Sequence, residues 1–199
     1  MCRRSASLFA VLFQSVAPIS SLVATSVAGA PPIERLVEVT AFVQSSKVTL
    51  LSAVIAARTE CSAGTPFRAG ISRRHPTHAF EVLLLTGDGK VIRIEVDAIC
   101  GEQLASEEEP RTPAEIRELR RTVRRAGVGL AEAIGVAARR TQGVAVRGEL
   151  RAGERKVTAA IGLLLRGAET EIEIDRIIRD ADRNNELLVL NDIDPITRR

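Results

Sequence analysis

The sequence predicts an α+β fold built from two repeated units, in which each unit has helices followed by a three-stranded antiparallel β-meander. Three observations predict it. Segments of the first half recur in the second half about 80 residues later. Capping residues precede segments whose apolar residues have helical spacing. Three apolar runs separated by turn residues follow each predicted pair of helices.

The repeat consists of four matched segments that occur in the same order in both halves. They are 50–57 with 130–137, 64–71 with 143–150, 83–85 with 163–165, and 94–97 with 172–175. The small insertions and deletions between them fall in predicted turns. We therefore predict a first unit over 31–106 with a core at 48–104, and a second over 111–191 with a core at 128–190.

Each unit is predicted to begin with two helices. In the second unit, Thr112 is an N-cap residue, Pro113 fits the first helical position, and Glu115 completes a capping box. The corresponding first-unit segment alternates locally like a strand, but the repeat favours a helix. The second helix of each unit is predicted to start after Thr49 and Gly129, respectively.

Three strands are predicted to follow the helices of each unit. An Asp-Gly turn within Gly87–Gly89 predicts a hairpin in the first unit. The predicted strands are 67–73, 78–85 and 90–97 in the first unit, and 144–150, 156–165 and 169–177 in the second. Residues 192–199 are predicted to be a frayed tail. The sequence leaves open whether the units pack face to face, pair sheet edges, or move about the linker 107–110.

Residues 1–28 are typical of a cleavable Sec-type signal peptide. Arg3 and Arg4 form a basic start, an apolar stretch follows, and small residues precede Ala28. Gln14, Pro18 and several serines make an uncleaved membrane anchor the weaker interpretation. We therefore expect a periplasmic or secreted protein with no stable membrane span after cleavage.

The charge balance of the predicted mature chain argues against a nucleic-acid partner. The whole chain of 199 residues has a net charge of +3, but without residues 1–28 it has 26 basic and 25 acidic residues. Trp and Tyr are absent, so aromatic platforms for base stacking are not available. The arginines within 117–125 are interleaved with Glu115 and Glu118, and three glutamates at 107–109 precede them. This mixture of charges predicts a solvated helix face of mixed charge.

One stretch of the chain, 50–104, resembles the PepSY module of thermolysin-like metallopeptidase propeptides and many exported bacterial proteins. The motifs that carry the resemblance are the alanine-rich helix 50–57, Gly64, Phe80–Val82, the turn Asp88–Gly89, the pair Asp97–Ala98, the pair Gly101–Glu102, and Leu104. Residues 130–190 are also similar to the module, in their helix and in the segment 172–175. They depart from it after that segment, because Arg176 stands where the first unit has Ala98 and the Gly-Glu pair is missing. The resemblance implies a helix on an antiparallel sheet, an envelope location, and a binding role such as peptidase inhibition or chaperoning.

Few residues qualify as candidates for chemistry. Cys61 and Cys100 are predicted to form a tentative disulfide, because both lie in one unit of an exported chain. His75 and His78 stand three residues apart in a predicted turn, in a spacing that matches no standard zinc signature, so we interpret them as exposed residues rather than metal ligands. No catalytic motif is present, and we expect no catalytic residue and no cofactor.

The favoured hypothesis is an exported, non-catalytic module that binds an envelope protein, with a peptidase as one candidate partner. One alternative is a structural or stress-related envelope protein without a tight partner. Another is a weak periplasmic binder of metal or small ligands that uses His75, His78 and the cysteines.

Overall fold

The computed structural model of the protein describes residues 33–72, 74, 78–180 and 185–190. The predicted signal peptide and the predicted frayed tail lie outside the described residues, and so does His75. The described elements are α1 (Ile33–Ser45), α2 (Leu50–Glu60), β1 (Gly64–Ile71), β2 (Ala79–Thr86), β3 (Val91–Asp97), β4 (Gln103–Glu109), α3 (Pro113–Arg125), α4 (Leu130–Thr141), β5 (Val144–Ala152), β6 (Val157–Leu165), β7 (Ala168–Asp180) and β8 (Asn185–Leu190).

The helices begin where their capping signals predict. The Thr49 side chain accepts a hydrogen bond from the Ser52 N–H, at 3.2 Å. At α3, the Thr112 hydroxyl accepts from the Glu115 N–H, while the Glu115 carboxylate accepts from the Thr112 N–H at 2.8 Å. Both ends of this capping box are formed, as predicted. At α4, Gly129 is the N-cap residue and has no side chain to accept a hydrogen bond.

The predicted fold class is wrong, because the strands form one sheet and not two three-stranded meanders. The eight described strands are all antiparallel to their neighbours and have the order β4-β3-β2-β1-β5-β6-β7-β8. Two strands, β4 and β8, are not among the six predicted strands, and β4 includes three residues of the predicted linker 107–110. Each pairs with the strand before it and lies at an edge of the sheet.

The pairing of β1 with β5 joins the two halves of the chain. Arg68, Ala69 and Gly70 lie opposite Glu149, Gly148 and Arg147, respectively. A row of residues therefore runs across seven strands on one face of the sheet. The row is Ser106, Ile94, Val82, Ala69, Gly148, Ile161 and Ile172.

Helices α2 and α4 cover this face. Their inward side chains, which include Leu50, Val54, Leu130 and Ile134, are buried against it. Gly148 makes the close approach of α4 possible, because a Cβ atom there would lie 3.1 Å from Leu130 Cδ1 and 3.2 Å from Ile134 Cδ1. Both contacted side chains are buried, so they have little room to move.

The opposite face of the sheet carries ion pairs. Arg147 lies across Gly162, whose missing side chain leaves room for the arginine to run along the sheet. It reaches Glu169 at 3.2 Å and Glu171 at 2.7 Å, and Arg151 also binds Glu171. On the first half of the sheet, Arg93 contacts Glu81 at 2.9 Å and also Glu109.

Helices α1 and α3 contact opposite ends of the strands. The Phe42 ring of α1 packs edge-to-face against Phe80, with ring centroids 5.1 Å apart, at the start of β2. Arg120 of α3 donates to the Gly87 carbonyl in the β2–β3 turn, at 3.1 Å. Arg125 donates to the Arg155 carbonyl in the β5–β6 turn, at 3.0 Å.

Replacement of Gly148 by valine should destabilise the protein, because the added methyl groups would be forced into Leu130 and Ile134. Overpacking of this kind costs about 1–3 kcal/mol, which urea denaturation of the folded chain would measure. Gly87→Ala is the matched control, since a Cβ at Gly87 would meet no atom within 4 Å. A Gly148→Val chain as stable as the control would contradict this account of the α4 contact.

Replacement of Thr112 by alanine should lower the free energy of unfolding by about 1 kcal/mol at neutral pH, because the capping box is lost. The Thr112 N–H, and then its hydroxyl, hold the pKa of the Glu115 carboxyl below its ordinary value of 4.5. The stabilisation from the ionised carboxylate is therefore complete above pH 4.5 and disappears as the pH falls through the lower folded-state pKa. The variant keeps the backbone N–H of position 112 but loses the hydrogen bond that the Thr112 hydroxyl donates to the Glu115 carboxylate, at 2.9 Å. Urea denaturation at several pH values should therefore show the difference between wild type and variant shrinking in acid; a constant difference would contradict this role of the hydroxyl.

Candidate functional site

The described surface contains a groove of about 450 Å³. Its walls come from three parts of the chain that are distant in sequence. The lining residues are Arg58 at the end of α2, the turn and strand start 62–66, Val123 of α3, the α3–α4 turn and helix start 126–132, and Leu150 of β5. A volume of this size is typical of pockets that hold a small ligand or a few side chains of a polypeptide.

The pairing of β1 with β5 creates this groove. Pro66 lies on β1 two residues before Arg68, and Leu150 lies on β5 next to Glu149, the partner of Arg68. The floor therefore forms only because the two strands are neighbours. The α3–α4 turn then closes one side, where the Ala126 backbone bridges to Val157 of β6.

The polar groups of the groove are few. Arg58 is exposed, and Glu132 lies in the first turn of α4 and has a partner of its own. Because Gly129 has no side chain, the amide groups of the first α4 turn receive no side-chain cap. Arg58 and Glu132 are the only ionisable side chains among the lining residues, and the lining contains no histidine and no cysteine.

The groove was not predicted from the sequence. The predicted start of a helix after Gly129 is confirmed, and it places one end of the α3–α4 turn. Nothing in that local signal indicates that the turn faces 62–66, which lies more than sixty positions earlier in the chain.

The structure does not bring Cys61 and Cys100 together. Cys61 ends α2, and its sulfur lies beside Gly64, which pairs with Thr86 at one end of β2. Cys100 lies in the turn that follows β3. The last residue of β3, Asp97, pairs with Ala79, which is at the other end of β2. Seven strand residues span about 23 Å, whereas a disulfide needs α-carbons within about 7 Å. Both cysteines are free thiols here, Cys61 half-buried and Cys100 exposed.

Asp97 holds the turn that carries Cys100. Its carboxylate accepts hydrogen bonds from the Cys100 N–H at 2.9 Å and the Ile99 N–H at 2.6 Å. These backbone donors, the Cys100 N–H first, hold the pKa of the Asp97 carboxyl below its ordinary value of 3.8. The aspartate therefore has a structural role in the turn.

Of the two histidines, only His78 lies among the described residues. Its ring packs against Phe42 with centroids 5.4 Å apart, and its carbonyl accepts a hydrogen bond from the Ala98 N–H. Within the described ranges, no three His, Cys, Asp or Glu side chains lie close enough together to hold a metal ion. The predicted residues Cys61, Cys100 and His78 are thus in three separate environments, and none lines the groove.

No single described helix is long and apolar enough to cross a membrane. The segments Arg35–Ser45 and Leu50–Glu60 reach the required length and composition only as a pair, and the chain bends by 71° between them.

Cys100 should react with N-ethylmaleimide faster than Cys61 in the native chain, because the exposed thiol is accessible and the half-buried one is not. Peptide mapping by mass spectrometry over time would measure both rates. The urea-denatured chain is the control, in which the rates should converge. A native chain that resists alkylation at both positions until it is reduced would show a disulfide and contradict this arrangement.

Comparisons with known proteins do not assign the chain to a family. No family model matches the sequence, and no curated protein matches it. The sequence resemblance to the PepSY module is therefore without independent support. A solved structure of a "putative lipoprotein" from Clostridium difficile 630 is similar over 75% of this chain and 97% of that chain, at 14% identity and a TM-score of 0.41. A TM-score this low does not establish a shared fold, so the likeness supports no statement about function.

Proposed function

We propose that this chain is an exported, non-catalytic binding module of the cell envelope that holds a segment of a partner protein in the groove between the α2–β1 turn and the α3–α4 turn. The single observation behind the proposal is the groove itself. It is concave and it is lined largely by apolar and small residues.

The chemistry of the lining favours binding over catalysis. The lining has one arginine, one glutamate that already has a partner, and two hydroxyl side chains, and it contains no histidine and no cysteine. Val123, Leu130 and Leu150 provide apolar contact instead, and the amides of the first α4 turn provide hydrogen-bond donors. A polypeptide segment combines apolar side chains with carbonyl acceptors and would satisfy both.

Export to the envelope is supported by the composition of 1–28, which has a basic start, an apolar stretch and small residues before Ala28. If the chain lies in the envelope, its partner is also an exported protein. Regulation of a peptidase and chaperoning of another exported protein are the two roles to examine first.

Filling the groove should weaken partner binding. Ala131 is the second residue of α4, is half-buried and lines the groove, so Ala131→Trp would place an indole in it. A photo-crosslinking amino acid at position 131, introduced in the exporting cell, would first identify the partner. Calorimetry with the purified partner should then show binding weakened about tenfold or more by Ala131→Trp, a loss of about 1.4 kcal/mol.

Ala114 gives the matched control. It is the second residue of α3, it is exposed, and it lies outside the groove, so Ala114→Trp makes the same change in the same helical position. Its affinity for the partner should equal that of the wild type. Equal crosslinking from positions 114 and 131, or wild-type affinity of Ala131→Trp, would reject the groove as the binding site.

A further inference from the structure

The outer face of α3 carries exposed arginines that form no ion pair with the described acids. Arg117, Arg121 and Arg124 are exposed and have the spacing i, i+4 and i+7, which places them on one side of the helix. None of the three forms an ion pair with a residue that the structure describes. Arg125 is also exposed and uses one guanidinium nitrogen to bind the Arg155 carbonyl. We call Arg117, Arg121, Arg124 and Arg125 the α3 arginine row.

The acids that were predicted to neutralise these arginines have other partners. Glu115 binds the start of its own helix and Arg111, at 3.5 Å. The three glutamates 107–109 lie on β4. There Glu107 pairs with Arg74, Glu108 with Lys90, and Glu109 with Arg93 and Arg111. Among the described acids near the row, Glu118 alone is exposed on α3 between the arginines, so four arginines lie beside one glutamate and the face has a net positive charge.

The apolar face of α3 is already used inside the protein. Ile116, Leu119 and Val123 pack against the core, and the remaining apolar residues of the helix, Pro113 and Ala114, lie in its first turn. The helix therefore presents a convex row of guanidinium groups about 12 Å long. The row offers no aromatic or aliphatic side chain to fill a pocket of a partner, so charge is its means of binding.

We propose that the α3 arginine row docks the protein onto a membrane surface rich in anionic phospholipids. A flat layer of phosphate groups can meet a convex row of arginines along its whole length without any matching cleft. The helix would lie on the headgroups and would not insert, since its apolar side faces the sheet. Such binding depends on charge, weakens with salt, and leaves the groove free.

Co-sedimentation of the full chain with vesicles tests this proposal. One set of vesicles contains about one-third phosphatidylglycerol in phosphatidylcholine, and the other contains phosphatidylcholine alone. The wild type should bind the anionic vesicles more strongly, and this preference should fall as salt is raised from low to physiological concentration. The triple variant Arg117→Gln/Arg121→Gln/Arg124→Gln should lose about 100-fold in affinity for the anionic vesicles, at about fivefold for each arginine.

Two further variants separate local charge from net charge and from specific recognition. The control variant removes the same charge from three exposed positions outside α3, as Arg68→Gln/Arg140→Gln/Arg166→Gln. It should bind the anionic vesicles nearly as well as the wild type does. Arg117→Lys/Arg121→Lys/Arg124→Lys keeps the charge and should also retain binding. Equal binding to both kinds of vesicle, or an equal loss in both Gln variants, would overturn the proposal.

Competitors distinguish the membrane from other anionic partners. Poly-glutamate and duplex DNA are added at the same salt concentration, each at a charge concentration equal to that of the anionic lipid. The vesicles should remain the preferred ligand of the row. Tighter binding of either polymer, lost in the triple Gln variant, would reject the membrane assignment. The groove proposal is tested separately, because Ala131→Trp should leave vesicle binding unchanged.

Discussion

The pairing of β1 with β5 is the contact on which the rest of this architecture depends. Three residue pairs, Arg68 with Glu149, Ala69 with Gly148 and Gly70 with Arg147, join four strands from each half of the chain into one sheet. The same contact places α2 beside α4 on a shared face. It also removes two sheet edges, because β1 and β5 would otherwise each expose a row of unpaired backbone groups. The continuous hydrophobic core and the groove both follow from it.

The sheet also sorts the charged residues, and their final partners are not their neighbours in sequence. Glu109 lies beside other glutamates and before a basic helix, yet it binds Arg93 across the sheet and Arg111 in the connection to α3. Arg147 and Arg151 meet at Glu171, which comes from two strands away. Each such pair is partly exposed and adds little stability by itself. Because Glu107, Glu108 and Glu109 are paired in this way, they do not neutralise the arginines on the outer face of α3.

Much of the local structure could be predicted because it depends on residues only a few positions apart. The capping box at Thr112 and Glu115, the cap at Thr49 and the hairpin at Gly87–Gly89 all have short-range signals, and the structure contains each of them. The outer strands could not be predicted in the same way. β4 ends in three glutamates, which is the composition of a protected sheet edge and also of a solvated linker. The groove could not be predicted at all, since its walls meet only after β1 and β5 pair.

Signals in the local sequence specify where α2, α3 and α4 start and where the chain turns between β2 and β3. These features arise from the conformational preferences and hydrogen bonds of neighbouring residues. Long-range contacts set three other features. The two halves share one sheet, Cys61 and Cys100 lie at opposite ends of the strands, and Arg117, Arg121 and Arg124 form no ion pair with a residue that the structure describes. Each of these depends on which strand edges meet, and an edge presents the same backbone donors and acceptors whatever its side chains are. The packing of the whole core against α2 and α4 selects which strand edge pairs with which.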